Sequence, residues 1–387
     1  MKKHIIIGMA ALGLMASCSS ESEFHAVAES TITVTKAETS LGPNASEGLV
    51  TVDCVPVAAY TDEPSWLTAA IDGNNVKLTS LANDSRQSRN AKLVIKKAAN
   101  DSVVLNVSQY GLTLTVDNAD IVQPNDGECS YTKNCSCNTE VVVTYAPDWA
   151  TATIDNVAGV MDVKLTANTT GHVRADYIKY KAAGVRDSFI VKQYDFDNDI
   201  AGDYIFAYNT FDEDYNVEFQ TVRATLTSTE LSVPEWGYSF PISVNDSIGG
   251  VDIKSNQYVG RFGKYYVYSA FISTEGDYYL GTESGVITAP FKYSEEYGTY
   301  GFFTGTAYNV NTGSEIITAP FLSMLLQAFK SKSSSPSNYM ADLFWVASPY
   351  LMEVPEGEDE NEVEAKASGI NRLDTKTMKR AGKRFSR

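Results

Sequence analysis

The residues of this sequence with the most obvious capacity for ligand chemistry are aromatic. Trp236 and Tyr238 lie in Pro234-Glu235-Trp236-Gly237-Tyr238, and Tyr266 and Tyr268 lie in Tyr265-Tyr266-Val267-Tyr268. Indole and phenol rings are rigid and amphipathic, so they stack on sugar rings while neighbouring carboxylates accept hydrogen bonds from hydroxyls. Residues 197–354 hold sixteen of the 23 tyrosines and nineteen carboxylates, which points to a polysaccharide or host glycan as partner. On an extended strand Tyr266 and Tyr268 share one face and Tyr265 takes the other. Tyrosine is also a good strand residue, so the same clusters serve a sheet without any ligand.

Other chemistry is scarce. Beyond the first few residues only His25 and His172 occur, so a Ser-His-Asp triad has no histidine within 197–354. There is no His-Glu-x-x-His, no Gly-x-Ser-x-Gly and no glycine-rich phosphate loop. No cofactor is implied. A two-carboxylate glycoside hydrolase needs no histidine and stands as the less favoured alternative to a non-enzymatic protein. Four cysteines follow residue 18: Cys54, Cys129, Cys135 and Cys137. If all are paired there are three connectivities. A bond from Cys129 to Cys135 or Cys137 would close a small loop within 128–138. Cys-x₅-Cys-x-Cys is also a metal spacing, but no histidine lies nearby to complete it, so no metal is expected. Asp197-Asn198-Asp199 with Asp203, or Asp212-Glu213-Asp214, supplies the oxygen ligands calcium prefers, without the loop pattern of an EF-hand.

The N-terminus reads as an address. Lys2 and Lys3 precede an apolar run over 5–16, too short to span a bilayer but long enough for a signal-peptide core. Met15-Ala16-Ser17-Cys18 resembles the bacterial lipobox. That resemblance implies cleavage after residue 17, acylation of the Cys18 sulfur, and a membrane partner reached through the lipid; two or three acyl chains make a stable anchor. Ser19-Ser20-Glu21-Ser22-Glu23 resembles the surface-export signal of Bacteroidetes lipoproteins, which implies an outer-membrane protein facing the cell exterior. The net charge of −17 argues against nucleic acid.

The elements that position these residues are strands. Residues 31–195 contain one unit twice. Pro64-Ser65-Trp66 matches Pro147-Asp148-Trp149, Ala70-Ile71-Asp72 matches Thr153-Ile154-Asp155, and Lys77-Leu78-Thr79 matches Lys164-Leu165-Thr166. Arg89 matches Arg174, and Ser108-Gln109-Tyr110 matches Lys192-Gln193-Tyr194. Apolar residues alternate with polar ones in each copy, as at Val50, Val52 and Cys54, and Asn-, Asp- and Gly-containing turns separate the runs. About 80 residues with several such strands fit an immunoglobulin-like sandwich. The early Thr-x-Thr strand, the Pro-x-Trp, the Arg before a strand and the closing Gln109-Tyr110-Gly111 together resemble the BACON domain of Bacteroidetes proteins. The second copy departs from it with Asp195 in place of glycine and an insertion around 125–138. The resemblance implies carbohydrate association and a position between a lipid anchor and a distal domain. Packing rather than sugar stacking is the expected role of Trp66 and Trp149.

The expected fold class is all-β: two tandem immunoglobulin-like β-sandwiches followed by a third β-rich domain, a barrel or sandwich. The expected segments are a signal peptide (1–17), a lead (18–30), sandwiches at 31–111 and 112–196, a tyrosine-rich β-domain at 197–354, and a disordered tail at 355–387. Within the third domain, apolar residues at 322, 325, 326 and 329 predict one short helix over 322–330. The expected function is presentation of the tyrosine-rich domain to a glycan or host ligand. A fimbrillin-like structural or adhesion subunit is the second reading.

Overall fold

A computed structural model describes residues 30–211, 216–275, 278–282, 284–309, 317–355, 357 and 359–370. The signal segment and Cys18 lie outside them. The described chain is all-β apart from two short helical turns and one helix. It divides into two compact units, one ending at Gly111 and one beginning at Leu112.

The first unit is a sandwich of two four-stranded sheets. Its strands are β1 (Val34–Ala37), β2 (Ser40–Leu41), β3 (Ser46–Val52), β4 (Ala58–Thr61), β5 (Leu67–Asp72), β6 (Asn75–Ser80), β7 (Arg89–Ala98) and β8 (Asp101–Gln109). The sheet orders are β1-β3-β6-β5 and β2-β8-β7-β4. The inward positions of the alternating runs, among them Val50, Val52, Leu78, Leu93, Ile95 and Val107, are fully buried. Each contributes about 1.5–3 kcal/mol on removal from water.

The second sandwich repeats that topology strand for strand. Its strands are β9 (Leu114–Val116), β10 (Ile121–Gln123), β11 (Cys129–Cys137), β12 (Val141–Tyr145), β13 (Ala150–Asp155), β14 (Val160–Leu165), β15 (Arg174–Ala182) and β16 (Val185–Gln193). The orders β9-β11-β14-β13 and β10-β16-β15-β12 mirror the first copy, down to the parallel pairing of β2 with β8 and of β10 with β16.

The duplicated motif residues form one knot in each copy. The Arg89 guanidinium lies 4.4 Å from the Trp66 ring centroid, and Arg174 lies 4.5 Å from Trp149. Arg89 Nε donates to Gln109 Oε1 at 2.8 Å, and Arg174 Nη2 to Gln193 Oε1 at 2.7 Å. Each glutamine amide then donates to backbone carbonyls, Gln109 to Leu81 and Gln193 to Gly127. Burial lowers the proton affinity of both guanidinium groups. The tryptophans are therefore stacked under arginine rather than presented to solvent.

The third β-domain belongs to the same compact unit as the second sandwich. Its strands are β17 (Gly202–Phe211), β18 (Val217–Leu226), β19 (Glu230–Val233), β20 (Tyr238–Asn245), β21 (Gly250–Lys254), β22 (Tyr258–Phe262), β23 (Tyr265–Glu275), β24 (Tyr278–Thr282), β25 (Ser284–Ser294), β26 (Gly298–Phe302), β27 (Thr304–Asn309), β28 (Ile317–Phe329) and β29 (Tyr339–Glu353). Antiparallel pairings close the ring β17-β18-β19-β20-β22-β23-β28-β29 back on β17. The long strands β20 and β29 also pair at their other ends with β21 and β26, which carry β25 and β27 as a second wall. An eight-stranded ring has an interior just wide enough for side chains. Here Phe206, Phe240, Phe271, Phe291, Leu326 and Val346 are buried in one core cluster.

Two sequence expectations fail in this domain. Residues 322–330 are not a helix; they lie within strand β28. Met324, Leu325, Leu326 and Ala328 are all buried, on both faces of a strand held between β23 and β29. A strand buried on both faces loses its alternation, and its apolar positions then coincide with a helical spacing. The segment 355–387 is not wholly disordered either. Helix α1 (Glu360–Gly369) is capped by the Asp359 carboxylate, which accepts the Asn361 N–H at 2.9 Å. Val363 and Ala367 pack on Ile205, Ala207, Tyr350 and Met352, and the Tyr350 hydroxyl donates to the Ala367 carbonyl. That contact explains why β17 is buried on both faces from Tyr204 to Tyr208.

Candidate functional site

The outer wall of the barrel carries a ladder of rings on β22, β23, β28 and β29. Tyr258 pairs with Tyr268 and Arg261 with Tyr266 across β22 and β23. A register irregularity between Tyr258 and Gly260 brings both ends of β22 to the same face of β23. The Tyr258 ring centroid lies 6.0 Å from that of Tyr266 and 5.7 Å from that of Tyr268. Tyr268 meets Phe329 at 5.4 Å, and Phe329 meets Tyr339 at 6.0 Å. The Arg261 guanidinium covers Tyr266 at 4.3 Å and donates to its hydroxyl at 2.5 Å. Tyr258 and Tyr339 are 41% and 42% exposed, so the ladder is open to a ligand at both ends. Beside it, Gln327 Nε2 donates to Asp342 Oδ1 at 2.8 Å, which places a carboxylate and an amide at the rim. Burial, then the neighbouring phenols, raises the Tyr268 hydroxyl above its ordinary range, so it remains a hydrogen-bond donor through neutral pH.

Tyr266 and Tyr268 thus share the face expected of them, while Val267 points into the core. The two clusters named from sequence do not converge. Tyr238 is 4% exposed, and its ring lies beneath β22, where a Cβ on Gly260 would come within 2.7 Å of it. Its ring is part of the core cluster rather than of the exposed wall where the sequence reading placed it. Trp236 is half-buried against the core, edge-on to Phe206, Tyr208, Phe240 and Phe344 at 4.9–6.4 Å. It packs on the core rather than standing free, because so large an apolar ring gains more from packing than from water. Tyr258, Arg261 and Tyr339 are members that sequence reasoning missed. Their signal was only the Tyr-x-x-Arg spacing of one short strand, and no periodicity ties Tyr339 to them.

The junction between the second sandwich and the barrel holds most of the buried polar chemistry. Lys192 is 6% exposed, and its Nζ donates to the carbonyls of Ile248, Gly249 and Phe291, each at 2.7 Å. Burial, assisted by the charge of Lys292, lowers it to about 7. Tyr194 donates to Asp246 at 3.1 Å. Asp199, on the helical turn Phe196–Ile200, accepts from Asn168 Nδ2 at 3.2 Å and from the Asp195 N–H at 2.9 Å. Burial raises its carboxyl to about 6. The His172 and Tyr293 rings stack at 3.8 Å beside a cleft of about 340 Å³ that Tyr297, Glu353 and Lys366 also line.

The cysteine expectation is corrected. Cys129 and Cys135 both lie on β11, where Cys129 pairs with Leu165 and Cys135 with Val116. Six residues of extended strand span about 20 Å, whereas a disulfide needs Cα atoms within about 7 Å. All four described cysteines are thiols. Cys135 is buried in the sandwich core, with Cys129 and Cys137 packed against it as small apolar side chains. Asp197, Asp199 and Asp203 do not converge either: Asp199 turns inward, and Asp203 accepts from Thr225 Oγ1 at 2.8 Å. Among the described residues no group of three or more His, Cys, Asp or Glu side chains is placed to hold a metal ion. Asp212-Glu213-Asp214 and Cys18 lie outside the described residues. No described helix is long and apolar enough to cross a membrane.

No family model matches the chain, and no curated protein matches it. Among solved structures, the I9–I11 tandem of titin aligns with 75% of this chain and 97% of its own, at 9% identity and TM-score 0.30. The I67–I69 fragment of titin aligns with 77% and 93%, at 7% identity and TM-score 0.26. An endo-fucoidan hydrolase of glycoside hydrolase family 107 aligns with 40% of this chain and 32% of its own, at 8% identity and TM-score 0.20.

Proposed function

We propose that this chain is a non-enzymatic lipoprotein of the outer membrane, anchored through an acylated Cys18, facing the cell exterior, and binding a glycan on its barrel. The observation that carries the binding reading is the ring ladder of Tyr258, Tyr266, Tyr268 and Tyr339. These side chains are on neighbouring strands of a closed wall, so their spacing is fixed before a ligand arrives. A preorganised face loses little entropy on binding. Stacking supplies contact area, while Arg261, Gln327 and Asp342 offer donors and acceptors to hydroxyls at the edge. The lipidation reading is supported by Met15-Ala16-Ser17-Cys18 after an apolar run. The BACON-like modules then connect the anchor to the barrel.

A glycan array probed with the intact protein, followed by titration calorimetry on any hit, tests the binding reading. Tyr266→Ala and Tyr258→Ala are expected to weaken binding by about 1–2 kcal/mol each, the usual worth of an aromatic contact. A flat array, or affinities unchanged in both variants, refutes it. Mass spectrometry of the N-terminal peptide tests the anchor: a free thiol at Cys18 in protein released to the medium removes that part of the proposal.

A further inference from the structure

The second sandwich carries a groove of about 510 Å³ lined by Lys179, Lys181, Arg186 and Ser188 from one face of β15 and β16, together with Thr144, Tyr180 and Asp187. Lys179 pairs with Ser188, and Lys181 with Arg186, across β15 and β16, so their side chains stand on one face. That face is the exposed one: Tyr177, Lys179 and Lys181 alternate with the buried Ile178, Tyr180 and Ala182. A register irregularity at Thr144 in β12 shapes the near wall, and Thr144 Oγ1 donates to the Lys179 carbonyl at 3.1 Å. Lys179 Nζ sits between two exposed rings, 5.0 Å from Tyr145 and 5.9 Å from Tyr177. Among the described residues none of Lys179, Lys181 and Arg186 forms an ion pair. The acids at hand are Asp187, on the groove wall, and Asp176, which accepts from the Tyr145 hydroxyl at 2.5 Å.

The first sandwich serves as an internal comparison, since the fold is the same. The knot residues Trp, Arg and Gln are retained in both copies, whereas two of the three cations of this face are not. Counting from Arg89 and Arg174, Lys179 corresponds to Val94 and Tyr177 to Lys92. Counting from Gln109 and Gln193, Arg186 corresponds to Ser102. Lys181 has a counterpart in Lys96, and by ladder position Tyr145 has one in Tyr60. The charges of Lys179 and Arg186 are therefore no requirement of the sandwich.

We infer that this groove is a second ligand site, one that takes an acidic saccharide bearing carboxylate or sulfate-ester groups. Rings of the ligand stack on Tyr145 and Tyr177, and its anionic groups meet Lys179, Lys181 and Arg186. The site is separate from the barrel ladder and does not depend on it. Affinity electrophoresis of the intact protein tests it, with heparin, polygalacturonate and neutral dextran each cast in the gel. The expected result is retardation by an acidic polymer that falls as salt is added, and none by dextran. The triple change Lys179→Gln, Lys181→Gln, Arg186→Gln is expected to weaken retardation by about tenfold or more. The charge-matched triple Lys92→Gln, Lys96→Gln, Lys97→Gln in the first sandwich is expected to change it by less than about twofold. Tyr177→Ala, which leaves the charge intact, is expected to weaken it by roughly threefold or more. Equal losses in both triples would reduce the effect to diffuse charge and overturn the site. Absence of retardation by either acidic polymer, or an unaffected Tyr177→Ala, also overturns it. Loss in Tyr266→Ala alone would place binding on the barrel instead.

Discussion

Lys192→Met offers the most quantitative test of how the second sandwich is held to the barrel. In the fold the Lys192 amine is buried and directed at three carbonyl oxygens. Two effects oppose each other there. The carbonyl dipoles favour the charged amine, whereas removal from water disfavours it. Burial wins, lowering the amine from 10.5 to about 7, which makes its charge about 5 kcal/mol more costly in the fold than in the unfolded chain. The sign follows from linkage. Between pH 7 and 10.5 the unfolded chain binds the proton and the folded chain does not, so stability rises with pH across that window. Below pH 7 both forms are protonated and the contribution is flat. From pH 6.5 to 9.5 the expected gain is about 3 kcal/mol. Lys192→Met removes the titrating group and deprives the three carbonyls of a donor, although the Gly249 carbonyl retains the Phe291 N–H at 3.0 Å. Urea unfolding of both proteins, at half-unit steps of pH, measures the difference. The wild-type transition of the second unit is expected to gain on that of the variant by about 3 kcal/mol over the window. Parallel profiles, with a difference constant to within about 0.5 kcal/mol, would show that the amine keeps its proton in the fold and that the carbonyls outweigh burial.

Gln109→Leu removes the acceptor of Arg89 and the donor to Leu81 in a buried knot, so a loss of about 2–4 kcal/mol is expected. Gln109 belongs to the knot of the first unit, so calorimetry should show that unit's transition move while that of the second unit, which has its own knot, stays. Gly260→Ala places a Cβ within 2.7 Å of the Tyr238 ring and 2.9 Å of the Gly237 carbonyl. It should loosen the β20–β22 junction at a cost of roughly 1–3 kcal/mol, seen as faster amide exchange at Tyr238 and Gly260. Val363→Asp puts a charge into the buried seam between α1 and β17 and is expected to release the helix from the barrel. Limited proteolysis should then cut within 359–370 while the barrel stays intact.

Much of the fold was legible without coordinates. Alternation at Val50 and Val52, or at Met161, Val163 and Leu165, has no other economical explanation than a half-buried strand. The duplication also carried topology, because the same Trp, Arg and Gln recur where one knot must be tied twice. The face shared by Tyr266 and Tyr268 followed from the two-residue period of a strand. What sequence could not decide were the matters settled by distant neighbours. Strand β28 looks helical because both its faces are covered, and coverage is a property of β23, β29 and the core rather than of residues 322–330. The seam Val363, Ala367 and Ile370 has helical spacing, but it amounts to too little apolar surface to fold until Tyr350 and Met352 lie beneath it. Trp236 and Tyr238 read like exposed rings, and closure of the barrel turned them inward. Composition and periodicity therefore identified the strands that alternate and the two faces of their side chains. Only tertiary closure decided which of those faces meet water, because burial depends on what packs against a strand from elsewhere in the chain.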